Sequence, residues 1–258
     1  MTKPNGSKRD GDFPIASSTV RLLVSFPKSG RTWLRFALSL AKIDVEVSHA
    51  GGALGKKVIG KPYREIPAAL RDRSVVLLHR NPIDTAVSFY YQTTRRAFPR
   101  GSWRWFSEWL PLALRGRLPP RDIDAFVLSP LYGVRKICAF NRIWLDHVRA
   151  REDCLVLNYE EMRADSAAGF QRLLDFWGEN SVSGAALAQA SSVEKMRAAE
   201  GAGQRLAQPD GNSRGRAVRQ DPSSAKVRRA VVNGYLDELR PETIKRCREI
   251  AAEFGFDA

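Results

Sequence analysis

The chain is poor in the residues from which covalent and metal-based frameworks are built. It has three cysteines, Cys138, Cys154 and Cys247, far apart and set in apolar-patterned segments. That spacing speaks against a disulfide frame or a zinc site and for reduced interior residues, which suits the cytoplasm. Histidine is as scarce, with only His49, His79 and His147, and no His/Cys cluster suggests a metal. No apolar run approaches the roughly 18 residues that a membrane span needs. Residues 1–12 are polar and lack the apolar core of a signal peptide, so 1–19 is expected to be a flexible tail. Acidic residues are the clearest deficit: 28 against 42 basic ones, a formal net charge of +14. Such an excess favours anionic partners and does not choose among nucleotides, nucleic acids, acidic glycans and membrane surfaces.

What is present is an ordinary globular composition, 43% hydrophobic and 27% charged, in 258 residues, enough for one large core. Short apolar runs of strand type occur at Leu22–Phe26, Asp44–Ser48, Val75–Leu78 and Cys154–Tyr159. Helical patterns separate them, over about Arg31–Ala41, Pro82–Thr93, Leu131–Ala150 and Ala168–Trp177, and helices follow at Ala185–Ala190 and from Pro241 to Phe254. Strands alternating with helices predict an α/β fold: a single domain over 20–258, with a central parallel sheet flanked by helices. In such sheets ligands gather at the carboxyl ends of the strands, and Lys28, His49, Arg80 and Tyr159 each follow a strand. Residues 95–130 are the least regular and include a tryptophan-rich stretch at 102–110; they are expected to form a lid over the acceptor. Residues 200–225, rich in Gly, Ser, Gln and Arg, read as a mobile loop.

The strongest local signal is Pro27-Lys28-Ser29-Gly30-Arg31-Thr32-Trp33, a strand end, a tight turn and a helix start. Free backbone N–H groups and the positive end of a helix dipole converge there, making an anion site to which Lys28 adds a charge and Ser29 and Thr32 add hydroxyls. The nucleotide triphosphatase pattern G-x-x-x-x-G-K-[ST] is absent, because Lys28 precedes the only glycine of the loop. The second signal is Arg80-Asn81-Pro82-Ile83-Asp84, with Ser88 about two turns beyond Pro82. A guanidinium at a strand end gives forked, charge-assisted hydrogen bonds to a phosphate, and a helix hydroxyl can add a donor.

Together these stretches resemble the sulfotransferases that use 3′-phosphoadenosine 5′-phosphosulfate (PAPS). Pro-Lys-Ser-Gly-x-Thr-Trp is similar to their P-loop-like 5′-phosphosulfate loop, and the Arg80–Ser88 stretch to their 3′-phosphate motif, R-[ND]-P-x-D-x-x-x-S. The resemblance extends to Tyr159-Glu160-Glu161-Met162, similar to a strand-end segment whose tyrosine lies near the donor. It covers Ser192 and Val193, in the segment that contacts adenine, where the family often has Phe in place of Val193. It also covers Arg228-Arg229-Ala230, in the loop that closes on the 3′-phosphate, where Ala230 replaces a glycine.

The resemblance implies PAPS as co-substrate, no metal, and binding through Lys28, Ser29, Gly30, Arg31, Thr32, Trp33, Arg80, Ser88, Tyr159, Ser192, Val193, Arg228, Arg229 and Ala230. It implies in-line sulfuryl transfer to a hydroxyl or amine, with Lys28 stabilising charge on the 5′-phosphate and His49 as general base, as in bacterial members that have a His followed by Gly there. His79 is read as structural or phosphate-adjacent, His147 as exposed or as a satisfied helix-end residue. The acceptor is left open between a small molecule, a glycan and a lipid-linked compound. No nucleic acid is expected as partner; a homodimer and peripheral membrane contact in the cytoplasm stay open. The competing classes are a P-loop phosphotransferase or kinase, which calls for magnesium, a nucleotide- or nucleic-acid-binding protein without catalysis, and a degenerate sulfotransferase that binds donor without turnover.

Overall fold

A computed structural model describes residues 21–51, 60–96, 110, 112–202 and 231–257. The expectations for the 1–19 tail, for Arg228, Arg229 and Ala230, for nearly all of the 200–225 loop and for residues 102–109 lie outside the described residues.

Four short strands, β1 (Leu22–Val24), β2 (Glu46–Ser48), β3 (Val76–His79) and β4 (Leu155–Asn158), pair in parallel in the order β2-β1-β3-β4. Leu23 aligns with Val47 on one side and Val76 on the other, and Leu77 aligns with Val156. Unbroken apolar runs in β1 and β3 suit a sheet covered on both faces. Alternate side chains go opposite ways: Leu22, Val24 and Leu77 enter one core, Leu23, Val76 and Leu78 the other. The first strand is shorter than expected. Ser25 and Phe26 stay buried, but Phe26 O already accepts from Ser29 N at 3.4 Å, because the chain is turning into the loop.

Helices cover both faces. On the first core lie α3 (Pro82–Tyr91), α4 (Ile123–Leu128), α5 (Val134–Arg149) and α10 (Pro241–Ala252). On the second lie α1 (Arg31–Leu40), α7 (Ser166–Phe176), α8 (Gly184–Ala190) and α9 (Val193–Gly201). Short helices α2 (Ala68–Arg71) and α6 (Tyr159–Ala164) lie between these, with a π-helical turn, Gln92–Arg96, running on from α3 and a 3-10 turn at Gly234–Asp237. Three of these helices are not apparent from the sequence pattern, the first being α6, which starts at Tyr159 where the pattern predicts the strand to end. Helix α4, capped by the Asp122 side chain on Ala125 N at 2.9 Å, lies inside the segment read as a lid and sends Phe126 and Val127 fully into the core. Helix α9 begins at Val193, in the segment assigned to adenine contact. All three are too short for periodicity to declare them.

The strand order has a functional consequence. From β1 the chain goes to β2 on one side and then returns to β3 on the other, so the β1/β3 boundary is the switch point of the sheet. Crevices of this kind, beyond the carboxyl ends of the strands, are where open α/β sheets bind ligands.

Candidate active site

The loop after β1 is held in an unusual backbone shape. Lys28 has φ 76° and Gly30 φ 97°. A left-handed lysine is strained, which is characteristic of sites whose surroundings over-determine the backbone. Gly30 then serves as N-cap of α1 without a side chain, its carbonyl accepting from Trp33 N at 2.9 Å. A Cβ at Gly30 would lie 2.4 Å from Tyr159 Cδ2, so glycine is required for space as well as for φ. The Ser29 hydroxyl is buried and has no hydrogen-bond partner, a cost that a ligand acceptor would remove.

Across the switch point stands Arg80, directly after β3 and 9% exposed. Asn81 caps α3 by accepting from Ile83 N (2.9 Å) and Asp84 N (3.2 Å), with Pro82 at the first helical position, as the Asn-Pro pair predicts. The Arg80 guanidinium donates to Lys28 O at 3.3 Å and Val231 O at 3.1 Å, and lies over the Tyr159 ring. Asp84 Oδ2 is 3.5 Å from it and Glu160 Oε1 3.9 Å. Arg80 Nε has no hydrogen-bond partner. The arginine thus ties the loop after β1 to the backbone at Val231, and keeps one N–H without a hydrogen-bond acceptor. Burial pushes the Glu160 carboxyl up, against the hydrogen bond it accepts from Asn81 N at 3.0 Å.

Asp84, given no site role from sequence, is central to this corner. It accepts from Asn233 N at 2.8 Å and Tyr235 N at 3.1 Å, clamping the chain near the carboxyl end to α3. The signal was its fixed place in the arginine motif. Ser88 is half-buried on α3. Tyr159, after β4, packs against Gly30, Arg80 and Trp33.

Trp33 is buried. Its ring meets Tyr159 and Phe170 edge-on, and its Nε1 donates to the Ser191 hydroxyl at 3.1 Å, which donates onward to Leu187 O. Ser191, not the neighbouring Ser192, therefore joins this cluster. Ser192 caps α9, accepting from Lys195 N at 3.4 Å, and Val193 is the first residue of that helix, half-buried.

His49 follows β2 in a turn where Ala50 (φ 44°) and Gly51 (φ 73°) are both left-handed. Its Nδ1 is 3.0 Å from Ser25 O and its Nε2 2.6 Å from an Arg31 guanidinium nitrogen. A carbonyl can only accept, so Nδ1 carries the proton and Nε2 the lone pair. Burial, then the charges of Arg31 and Arg35, push its pKa down to about 3, opposed by the Ser25 bond. Burial, with Arg149 second, holds His79 down at about 4. His147 departs from expectation: it is neither exposed nor satisfied, since its Nε2 is buried without a partner beside Trp144.

In space the four strand-end residues follow the strand order, His49, Lys28, Arg80, Tyr159, with the loop and Arg80 facing each other at the switch point. Among the described residues no cluster of His, Cys, Asp or Glu is placed to hold a metal, and no helix is long and apolar enough to cross a membrane. Such an edge suits a ligand with two separated anionic groups.

The fold and this edge define a nucleotide-type α/β enzyme. Residues 53–253 match the family model described as the sulfotransferase domain. The chain belongs to that family, and sulfuryl transfer is its general chemistry. The match begins after Lys28 and His49, so those two residues rest on the geometry above and on the motif. No curated protein matches the chain closely enough to count as a relative. Solved structures of similar fold include mouse sulfotransferase SULT7A1 complexed with PAP, at 20% identity and TM-score 0.58, over 91% of this chain and 84% of that one. Retinol dehydratase in complex with retinol and PAP is 14% identical, TM-score 0.55, over 93% and 82%. Retinol dehydratase in complex with androsterone and inactive cofactor PAP is 15% identical, TM-score 0.52, over 93% and 81%. The fold class and the family expected from the two motifs are borne out.

Proposed function

We propose that the chain moves a sulfuryl group from PAPS to a hydroxyl of an acceptor, with His49 as base. The observation that carries the reading is the pairing across the switch point: the strained Lys28 loop at the end of β1 and the buried Arg80 at the end of β3, joined by the Arg80–Lys28 O bond. Family membership and the PAP in the similar structures support PAPS as donor. The residues present fit such a donor, because Ser29 Oγ and Arg80 Nε are buried polar atoms without hydrogen-bond partners, at the two ends where phosphates would lie.

PAPS supplies a sulfuryl group already joined to a phosphate leaving group. What remains for the protein is positioning, charge stabilisation and removal of one proton. Lys28, the Ser29 and Thr32 hydroxyls and the backbone N–H groups from Gly30 to Thr32 would hold the 5′ end and stabilise charge building there. Arg80, with Ser88, Arg228 and Arg229, would hold the 3′-phosphate, contributing orientation. Gly30 and Tyr159 keep that loop and Arg80 in register, while Trp33, Ser192, Val193 and Ala230 would border the nucleotide. His49 is neutral with its lone pair on Nε2, the tautomer a base needs.

Thermal shift with 3′-phosphoadenosine 5′-phosphate (PAP), against AMP, ADP and ATP with magnesium, tests the reading. Ligand at 100 times its dissociation constant adds roughly 2.7 kcal/mol, a rise of roughly 5–10 °C for a chain of this size. A rise confined to PAP supports it. No rise, or a larger one with ATP and magnesium, overturns it in favour of a phosphotransferase. A PAP rise without transfer to any of a broad set of hydroxyl and amine acceptors leaves a donor-binding protein.

A further inference from the structure

The proposed base is already engaged, and what engages it bears on the acceptor. His49 Nε2 holds the ring's only available lone pair, and the Arg31 guanidinium donates to it at 2.6 Å. An acceptor hydroxyl has to reach the same lone pair to give up its proton. The Arg31 side chain therefore stands where the acceptor hydroxyl must go. Arg35, one turn along α1 on the same face, adds its charge to the field at His49. No carboxylate within the described residues is hydrogen-bonded to the His49 ring, whose partners are Ser25 O and Arg31.

Displacing a guanidinium from this corner is unfavourable unless something replaces its bond. A neutral hydroxyl compound takes the lone pair and offers Arg31 nothing charged in return. An anion offers more than the imidazole did, because charge-assisted hydrogen bonds to carboxylate or phosphate are about twice as strong as neutral ones and often forked. The donor's charges meet Lys28 and Arg80, toward β3. Arg31 and Arg35 flank the β2 side, where His49 lies.

We propose that the acceptor is an anionic hydroxyl compound, bearing a carboxylate, phosphate or sulfate near the hydroxyl to be modified, and that this group draws Arg31 away from His49 Nε2 as the acceptor binds. The proposal rests on the sulfotransferase reading with His49 as base. It makes Arg31 a specificity-determining residue whose backbone serves the donor loop and whose side chain serves the acceptor.

The test uses acceptors matched except for charge: 4-hydroxyphenylacetate against its methyl ester, and a sugar phosphate against the free sugar. In the unaltered protein kcat/KM is expected at least tenfold higher for the charged member of a pair; which pair shows it separates carboxylate from phosphate recognition. In Arg31→Gln, which keeps the backbone, the preference falls to within about twofold, through a higher KM for the charged member and a higher kcat for the neutral one. A second readout is independent of turnover. The chain has three histidines, so imidazole nitrogen NMR resolves His49, whose ring is expected to protonate at higher pH in Arg31→Gln. Adding 4-hydroxyphenylacetate with PAP to the unaltered protein is expected to shift the Nε2 signal, and the methyl ester to leave it in place. Equal kcat/KM within both pairs, with an intact PAP thermal shift, overturns this proposal alone. So does an Arg31→Gln variant that loses the PAP shift and both acceptors alike, which marks Arg31 as a donor contact. No PAP shift in the unaltered protein overturns the donor reading, and this proposal with it.

Discussion

The Arg80 guanidinium lies over the Tyr159 ring, 4.6 Å from its centroid. Arg80 follows β3 and Tyr159 follows β4, two strands that run side by side with His79 opposite Asn158. The ring also closes against Gly30, so one aromatic side chain sets the distance between the loop after β1 and the arginine after β3. A cation over a ring face is held there by the ring's quadrupole while its N–H groups stay available for hydrogen bonds.

Arg80→Ala is expected to cost both folding and ligand binding. It leaves Asp84 and Glu160, buried and half-buried, without their shared cation, and breaking such a pair costs about 3–5 kcal/mol. The thermal midpoint should fall by more than ~5 °C and the PAP-induced rise should vanish. Arg80→Lys should restore much of the midpoint and little of the PAP rise, since a lysine cannot fork. Equal recovery of both would show that charge alone matters.

Gly30→Ala meets two obstacles, a φ of 97° and a contact of 2.4 Å with Tyr159. The backbone term alone is about 1–3 kcal/mol. Combining it with Tyr159→Leu removes the clash and keeps the strain, so chemical denaturation of the four proteins in the cycle should show partial rescue. Strict additivity would mean that the ring and the glycine do not meet.

Lys28 separates stability from activity. Lys28→Gly relieves a left-handed lysine at φ 76°, a gain of about 1 kcal/mol set against roughly the same loss in unfolded-chain entropy. The midpoint should stay within about 3 °C. Transfer rate should fall by at least ~100-fold, as it does when one electrostatic donor is removed from a preorganised site. Lys28→Ala, which keeps the strain, should match that rate and unfold at a lower temperature.

Acid should destabilise the protein through His49 and His79. Their folded pKa values lie at about 3 and about 4, below the 6.5 of a free imidazole. Below pH 6.5 the unfolded chain binds protons that the folded one refuses, so stability falls as pH drops and stops falling near each folded value. Each ring contributes up to about 1.4 kcal/mol per pH unit in that window. Besides Arg31 and Arg35 at His49, and Arg149 at His79, Ser25 O is the one group drawing a proton to His49. Urea unfolding at pH 6.5 and 5.0 should show the loss, and His49→Gln should shrink it by about half. An unchanged difference would place the acid sensitivity elsewhere.

Much of this molecule is legible along the chain because the relevant physics is local. Alternation of apolar runs with helical periodicity identifies a parallel α/β sheet, and each strand is followed within four residues by a candidate site residue. The Pro-Lys-Ser-Gly turn requires a left-handed glycine next to a helix start, and Asn81-Pro82 declares a helix by its own cap; both arise from neighbours in sequence. The family could be read from those two stretches for the same reason.

Tertiary structure decided what depends on distant residues. The lateral order β2-β1-β3-β4 makes Lys28 and Arg80 neighbours, although 52 positions separate them. The Asp84 clamp on Asn233 spans 149 positions, and the Trp33–Ser191 bond 158. Helices α4 and α9 form because packing rewards a few buried side chains, a term that short segments do not advertise. His49 shows the division most plainly: its place after β2 is in the sequence, but its fixed tautomer and suppressed basicity come from Ser25 and Arg31 and from removal of water. Hydrogen-bond partners and desolvation are properties of position in space, which the order of residues implies only through the folded whole.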